Sequence, residues 1–361
     1  MSQPYLSLDQ QIANVEANIH LIEERKSEYV EATAIPLDLI KDERAQRMRL
    51  QELLTLRQQL RNVDCPYRGL EMFREEHAAH FHGRAVMVEQ LVDKLRLADF
   101  VAVVGVSGSG KSSLVRAGLL PALRSAALPE SPAWQIAVFR PGADPLTSLC
   151  SALIGFLSPD LVASAAMAET RRLADDLLAG KLVMSRDILP RLAQQSAAAH
   201  HLIVIDQFEE IFDPQVDPRI RSQFIQAITQ TSATDWLRTV VTLRANYFDA
   251  ALQTPGLRDK VAAGQFTVLP MNEAERRDAI MLPAIHAGRA FEPGLVDRIL
   301  EDLSAAAGEL PLLEFAMTQL WQRQTPAGVL THAAYEEIGA VGGAIARHAS
   351  EIYASVSPEQ I

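Results

Sequence analysis

One octapeptide constrains this 361-residue chain more than any other feature: Gly105-Val106-Ser107-Gly108-Ser109-Gly110-Lys111-Ser112. It has the form G-x-x-x-x-G-K-S. The apolar run Phe100–Val104 leads straight into it. A helical pattern starting near Lys111 leaves it, with Leu114, Val115, Leu119 and Leu120 on the inward face. Strand, glycine-rich loop and helix form the context in which this motif cradles phosphates. Glycines let the backbone wrap an anion closely, and the amides at a helix start point at it. Gly105, Gly108, Ser109 and Gly110 then shape the cradle, which extends to Ser113. Lys111 is expected to reach the β and γ phosphates, and the Ser112 hydroxyl to ligate magnesium. Gly105-Val106-Ser107-Gly108 does not fit the G-x-S-x-G elbow of a serine hydrolase.

A phosphate loop needs an acid at the end of a neighbouring strand. His201-Leu202-Ile203-Val204-Ile205-Asp206 provides it, because a carboxylate ending a buried apolar run is costly unless it serves a cation or a network. Gln207-Phe208-Glu209-Glu210 follows, and one of the two glutamates is placed to activate a water. Spacing leaves open which. Thr239–Leu243 is a further strand with Arg244 directly after it, in position to read a γ phosphate.

From residue 100 to about 270 short apolar strands alternate with amphipathic helices. Phe100–Val104, Trp134–Phe139, Leu202–Ile205, Val240–Leu243 and Phe266–Leu269 are the expected strands. That alternation predicts an α/β three-layer sandwich around a mostly parallel sheet. From Pro270 onward the pattern is wholly helical, with apolar stripes in Glu273–Ile285, Pro293–Ala307 and Pro311–Arg323. The expected division is an N-terminal helical hairpin (1–64), a nucleotide-binding core (65–270), a helical lid (271–334) and the start of a further element (335–361). In the hairpin, Ile12, Val15, Ile19 and Ile22 form one stripe and Leu50, Leu53, Leu54 and Leu60 another, with a break at Ile35-Pro36. Such stripes must be covered by each other, by the body or by a second chain. A helical spacer and a docking or self-association device are both open readings.

The formal net charge of −11 weighs against bulk nucleic-acid binding. Two cysteines, Cys65 and Cys150, give no disulfide framework and fit a reducing, cytoplasmic setting. Neither a signal peptide nor a membrane span is evident. His77, His80 and His82 cluster with Glu75 and Glu76, but their region is accounted for by the nucleotide-site pattern, so zinc is not expected.

With these residues in hand, the chain resembles the STAND class of P-loop NTPases, signal-transduction ATPases related to AAA+ proteins. The resemblance is to the bacterial branch that opens with Cys-Pro-Tyr-Arg-Gly-Leu, here Cys65–Leu70. It continues through Phe73, Phe81-His82-Gly83-Arg84, Gly105–Ser113, Leu114–Pro121, Arg140-Pro141-Gly142, Asp144-Pro145-Leu146, Asp206–Glu210, Leu243-Arg244 and Gly308–Leu313. It implies that Gly83 and Arg84 contact the adenine or ribose. It makes Asp206 the metal-side acid, Glu209 or Glu210 the base, Arg244 the γ-phosphate sensor, and Pro311 a contact to the base. The class often has glutamate after the Gly-Arg pair; this chain has Ala85. The class also implies ATP or ADP with magnesium as ligands, a winged-helix domain after the lid, and a C-terminal sensor such as a WD-type propeller beyond Ile361. The expected function is a slowly hydrolysing regulatory switch of a signalling or defence protein, with nucleotide-controlled self-association through the N-terminal helices. The alternatives are an AAA+-type remodelling or helicase-loader ATPase and a small-molecule P-loop kinase.

Overall fold

The computed structural model describes residues 8–27, 29, 35–61, 64–125, 134–195, 200–231, 236–304 and 309–355. Gly308, the first residue of the expected glycine–proline motif, and the side chains of Leu54 and Leu60 lie outside the described residues. The chain forms two units, Glu71–Arg276 and the combination of Met1–Leu70 with Arg277–Ile361.

In the first unit the five expected strands form one parallel sheet: β1 Phe100–Gly105, β2 Trp134–Phe139, β3 His200–Ile205, β4 Leu237–Arg244 and β5 Gln265–Thr267, in the order β2-β3-β4-β1-β5. Alternate residues of β1 face opposite layers. Phe100, Ala102 and Val104 join the core formed with helices Pro145–Leu157, Ala163–Leu178 and Pro218–Thr231. Val101 and Val103 join the core formed with helix Ala85–Leu97 and the helical run after the phosphate loop, where Leu114, Val115, Leu119 and Leu120 are buried as expected. The central strands are apolar along their length because helices cover both faces. The result is the three-layer sandwich the alternation predicts. β5 ends earlier than the apolar run suggests. Val268 still donates its amide to the Val104 carbonyl, but Leu269 turns out to solvent.

The second unit has its own core around Tyr67, Ile280, Leu295, Ile299, Leu313, Met317, Trp321 and Tyr335. It is built from helices Glu273–His286 (which begins in the first unit), Leu295–Ser304, Glu309–Gln322, His332–Glu337 and Ala340–Ser355. This region is not wholly helical, as its pattern implied. β6 Ala290–Phe291 and β7 Val329–Leu330 pair in parallel. Two-residue strands carry too few alternations to register as a period in the sequence.

Cys65–Leu70 packs in this second unit. Tyr67 is 2% exposed, meets Trp321 edge-on at 6.2 Å and donates its hydroxyl to the Ile280 carbonyl. The Arg68 amide donates to Glu314 Oε2 at 3.1 Å. Cys65–Leu70 is thus grouped with the second unit, where its aromatic finds its burial on the helices.

The N-terminal hairpin comprises helices Leu8–Ser27 and Leu37–Arg61. Ile12, Ile19 and Leu53 are buried, and Val15, Ile22 and Leu50 are half-buried. Glu43 binds Lys26 and Arg47, and Arg47 also reaches Glu23, at 2.6 Å. Among the described residues no helix is long and apolar enough to cross a membrane.

Candidate nucleotide site

The carboxyl ends of β1, β3 and β4 lie side by side in the parallel sheet, with Gly105 opposite Arg244 in the register. Such ends are where open α/β sheets bind ligands. The loop after β1 is tightly wrapped. Gly108 and Gly110 have φ of +77° and +84°, conformations that L side chains rarely adopt. A Cβ on Gly105 would meet Ser109 Oγ at 2.7 Å and Val268 at 3.3 Å. Ser109 is buried, and its amide closes the turn onto the Val106 carbonyl.

Lys111 Nζ donates to the carbonyls of Gly105 and Val106, at 3.0 and 2.7 Å. Its pKa is lowered, foremost by desolvation. The nearby Arg244 adds to the lowering, whereas Glu209 and Asp206 oppose it. Four charged side chains from three strand ends thus share one neighbourhood.

Asp206, 1% exposed, is the centre of a hydrogen-bond network. Its Oδ1 accepts from Ser112 Oγ at 2.6 Å and from Thr242 Oγ1 at 2.8 Å, and its Oδ2 accepts from Arg116 Nε at 3.1 Å. Thr242 also accepts the Gln207 amide, at 2.8 Å. Gln207 has a φ of +57°, so the chain turns sharply after β3 and aims the two glutamates in different directions. Glu209 turns to Arg244. Its Oε1 lies 2.9 Å from Arg244 Nε, and its Oε2 accepts the Arg244 amide at 3.2 Å. Glu210 turns to the loop after β2, where its Oε2 accepts the Gly142 amide at 2.8 Å.

Ser113 Oγ accepts the Phe73 amide at 3.2 Å. Gly83 has a φ of +80° and introduces Arg84, which is 3% exposed. Arg84 Nη2 donates to the Leu269 carbonyl at 3.0 Å, and Nη1 lies 3.7 Å from Glu275. Burial lowers the Arg84 pKa, and Glu275 opposes that. Arg84 therefore braces the segment after β5, and Glu275 supplies a carboxylate although Ala85 follows the Gly-Arg pair. Pro311 lies on helix Glu309–Gln322 of the second unit.

The structure brings Gly105, Gly108, Ser109, Gly110, Lys111, Ser112, Ser113, Asp206, Glu209 and Arg244 to one end of the sheet. It adds Arg116 and Thr242, which the site reading did not single out. The signal for both was available. Arg116 stands four residues after Ser112, hence on the same helix face, and Thr242 stands two before Arg244, hence on the same strand face. A serine hydroxyl beside a carboxylate is a hard-oxygen set that suits Mg2+ completed by phosphate oxygens and water. Among the described residues no cluster of three or more His, Cys, Asp or Glu could hold a metal by itself, and the three histidines near Gly83 form none.

The family model described as nSTAND1, Novel STAND NTPase 1, matches residues 66–361. No curated protein matches. Solved structures that match include a Walker-type ATPase of Pyrococcus abyssi, at 14% identity and a TM-score of 0.47, covering 76% of this chain and 73% of that one. The Aeropyrum pernix ORC2 protein in its ADPNP–ADP complexes matches at 16% identity and a TM-score of 0.43, covering 73% and 66%. PCH-2 of C. elegans matches at 12% identity and a TM-score of 0.44, covering 73% and 69%.

Proposed function

We propose that this chain, which belongs to the novel STAND NTPase 1 family, is an ATP-binding switch module that hydrolyses its nucleotide slowly. The observation that carries the reading is the Glu209–Arg244 pair, in which one residue engages both oxygens of the glutamate. A carboxylate held by a guanidinium and an amide is a poor base. It becomes a good one when Arg244 is drawn to a γ phosphate, so ATP itself releases the group that destroys it. Arg244 side-chain exposure of 48%, against 10% for Glu209, leaves the arginine room to change partner.

In this reading the residues divide the work. Lys111 exchanges two loop carbonyls for phosphate oxygens. Ser112 and Asp206 would hold Mg2+, which when bound neutralises charge on the β and γ phosphates. Glu209 is the base, because it pairs with Arg244 at the strand end whereas Glu210 is committed to Gly142. Glu210 fixes the loop that starts at Arg140. Arg84 shapes the base end of the site through Leu269.

Steady-state turnover tests the switch reading. We expect a rate on the order of 10⁻² s⁻¹ or slower for the isolated chain, as for intrinsic switch NTPases. Constitutive turnover of many per second would favour a remodelling motor, and a phosphorylated small molecule would favour a kinase. We further propose that the hairpin docks a second protein or a second copy, supported by the exposure of Leu21, Ile40 and Met48 on its surface. Sedimentation of the full chain and of a chain starting at Asp64, with ATP and with ADP, tests this. A monomer in all four cases ends the self-association form of the idea.

A further inference from the structure

We infer that Arg116 is a positioning residue that holds Asp206 for the metal side of the site and keeps it away from Lys111. The inference rests on the nucleotide-site reading above. Ser112 and Arg116 are separated by one helical turn, so both side chains reach the same carboxylate. They take different oxygens: Ser112 Oγ donates to Oδ1 at 2.6 Å, and Arg116 Nε donates to Oδ2 at 3.1 Å. Thr242 adds a second hydroxyl on Oδ1. Arg116 is the one guanidinium hydrogen-bonded to Asp206 among the described residues, and it is 23% exposed against 1% for its partner.

The physical need for it follows from the neighbourhood. A buried carboxylate supported only by hydroxyls turns toward the nearest cation. One such cation is Lys111, the residue before Ser112, whose Nζ instead donates to the Gly105 and Val106 carbonyls. A direct Lys111–Asp206 pair would occupy the ammonium needed by the phosphates and pull the carboxylate from Ser112. Arg116 satisfies Oδ2, the oxygen that Ser112 and Thr242 do not take. The Ser112 proton stays committed to Oδ1, which leaves the serine oxygen's lone pairs for a cation. Arg116 itself touches no reacting atom in this scheme. It acts through Asp206.

The test is calorimetric titration of ATP, once with Mg2+ and once with EDTA, on the full chain and its variants. Wild type is expected to bind more tightly with Mg2+. In Arg116→Ala that gain should shrink about tenfold, the usual scale for removing an outer partner of a metal ligand. Affinity in EDTA should stay within about twofold, because phosphate contacts remain. Arg116→Lys should recover part of the gain by restoring the charge. An undiminished Mg2+ gain in Arg116→Ala would overturn the inference. Equal losses with and without Mg2+ would overturn it too, by showing a merely structural role. If Arg116→Ala does not fold, as judged by its melting transition, Arg116→Gln replaces it with the same two outcomes. Failure of wild type to bind ATP in either buffer would instead sink the nucleotide-site reading.

Discussion

The phosphate end of the sheet and the Cys65–Leu70 signature both place carboxylates in poorly solvated surroundings, but they support them differently. Asp206 receives two hydroxyls and a guanidinium, and Glu209 receives a guanidinium and an amide. Glu314, on helix Glu309–Gln322, receives the Arg68 amide, and burial pushes its pKa up to about 7 despite that amide and the Arg68 charge. Around it the signature is apolar and aromatic. Burial likewise raises the Cys65 thiol to about 11, so that thiol is unreactive. The first region keeps charges ready and spends little on packing. The second buries apolar surface and tolerates one costly acid. Substitutions at the phosphate end should therefore change binding and turnover with little change in melting. Those in the signature should do the reverse.

The largest expected effect is at Lys111. Lys111→Ala should weaken Mg·ATP binding by more than a hundredfold, or about 3 kcal/mol or more, because a charge pair in a closed site is lost. Calorimetry beside a melting curve checks the contrast, and an equal loss of fold stability would break it.

The next effect is on turnover. Glu209→Gln should lower it about a hundredfold with ATP binding kept, the scale of losing a general base. Glu210→Gln should change it severalfold at most, by loosening the Gly142 loop. A reversed order in a phosphate-release assay would assign the base to Glu210.

In the signature the expected effect is on stability and has a definite sign with pH. Glu314 has an ordinary value of 4.5 and is raised to about 7 in the fold, facing Arg68, Cys65 and Tyr67. Below the ordinary value both states are protonated. Between the two values the unfolded chain ionises first, so stability falls as pH rises toward 7. Glu314→Gln should lack this loss, gaining about 2 kcal/mol on wild type between pH 5 and pH 8. Denaturant titrations at both pH values would show it. A pH-independent difference would place the acid in a solvated setting like that of a surface carboxylate.

Smaller still is the nucleotide preference. Arg244→Ala should keep ADP affinity and lose about tenfold of the preference for ATP if, as proposed, Arg244 touches only the γ phosphate. Equal losses for both nucleotides would make Arg244 a structural partner of Glu209. Smallest is Tyr67→Phe, expected to cost about 1 kcal/mol for the hydrogen bond to Ile280 while leaving ATP affinity unchanged. A change in affinity would erase the distinction between the two regions.

Local rules in the sequence were enough for the five strands, the glycine-rich turn and the helix after it. Each depends on residues near one another in the chain: apolar runs for buried strands, positive-φ glycines for the loop, a periodic stripe for the helix. Asp206 and Arg244 were legible for the same reason, as polar residues ending apolar runs. The rest depended on pairings across the chain. Glu209 and Glu210 are adjacent and chemically identical, so no local rule separates them. The left-handed turn at Gln207 sends one to Arg244 and the other to Gly142. Arg84 is legible in the Gly-Arg pair, but its partners Leu269 and Glu275, 185 or more positions away, are not. Tyr67 precedes the nucleotide-binding segment in sequence, but its burial on Ile280 and Trp321 assigns it to the other unit. Sequence alone determined which chemical groups this chain could bring to a phosphate. Tertiary structure alone decided which of them are bound to one another, because hydrogen bonds and charge pairs act over a few ångströms of space and not over distance along the chain.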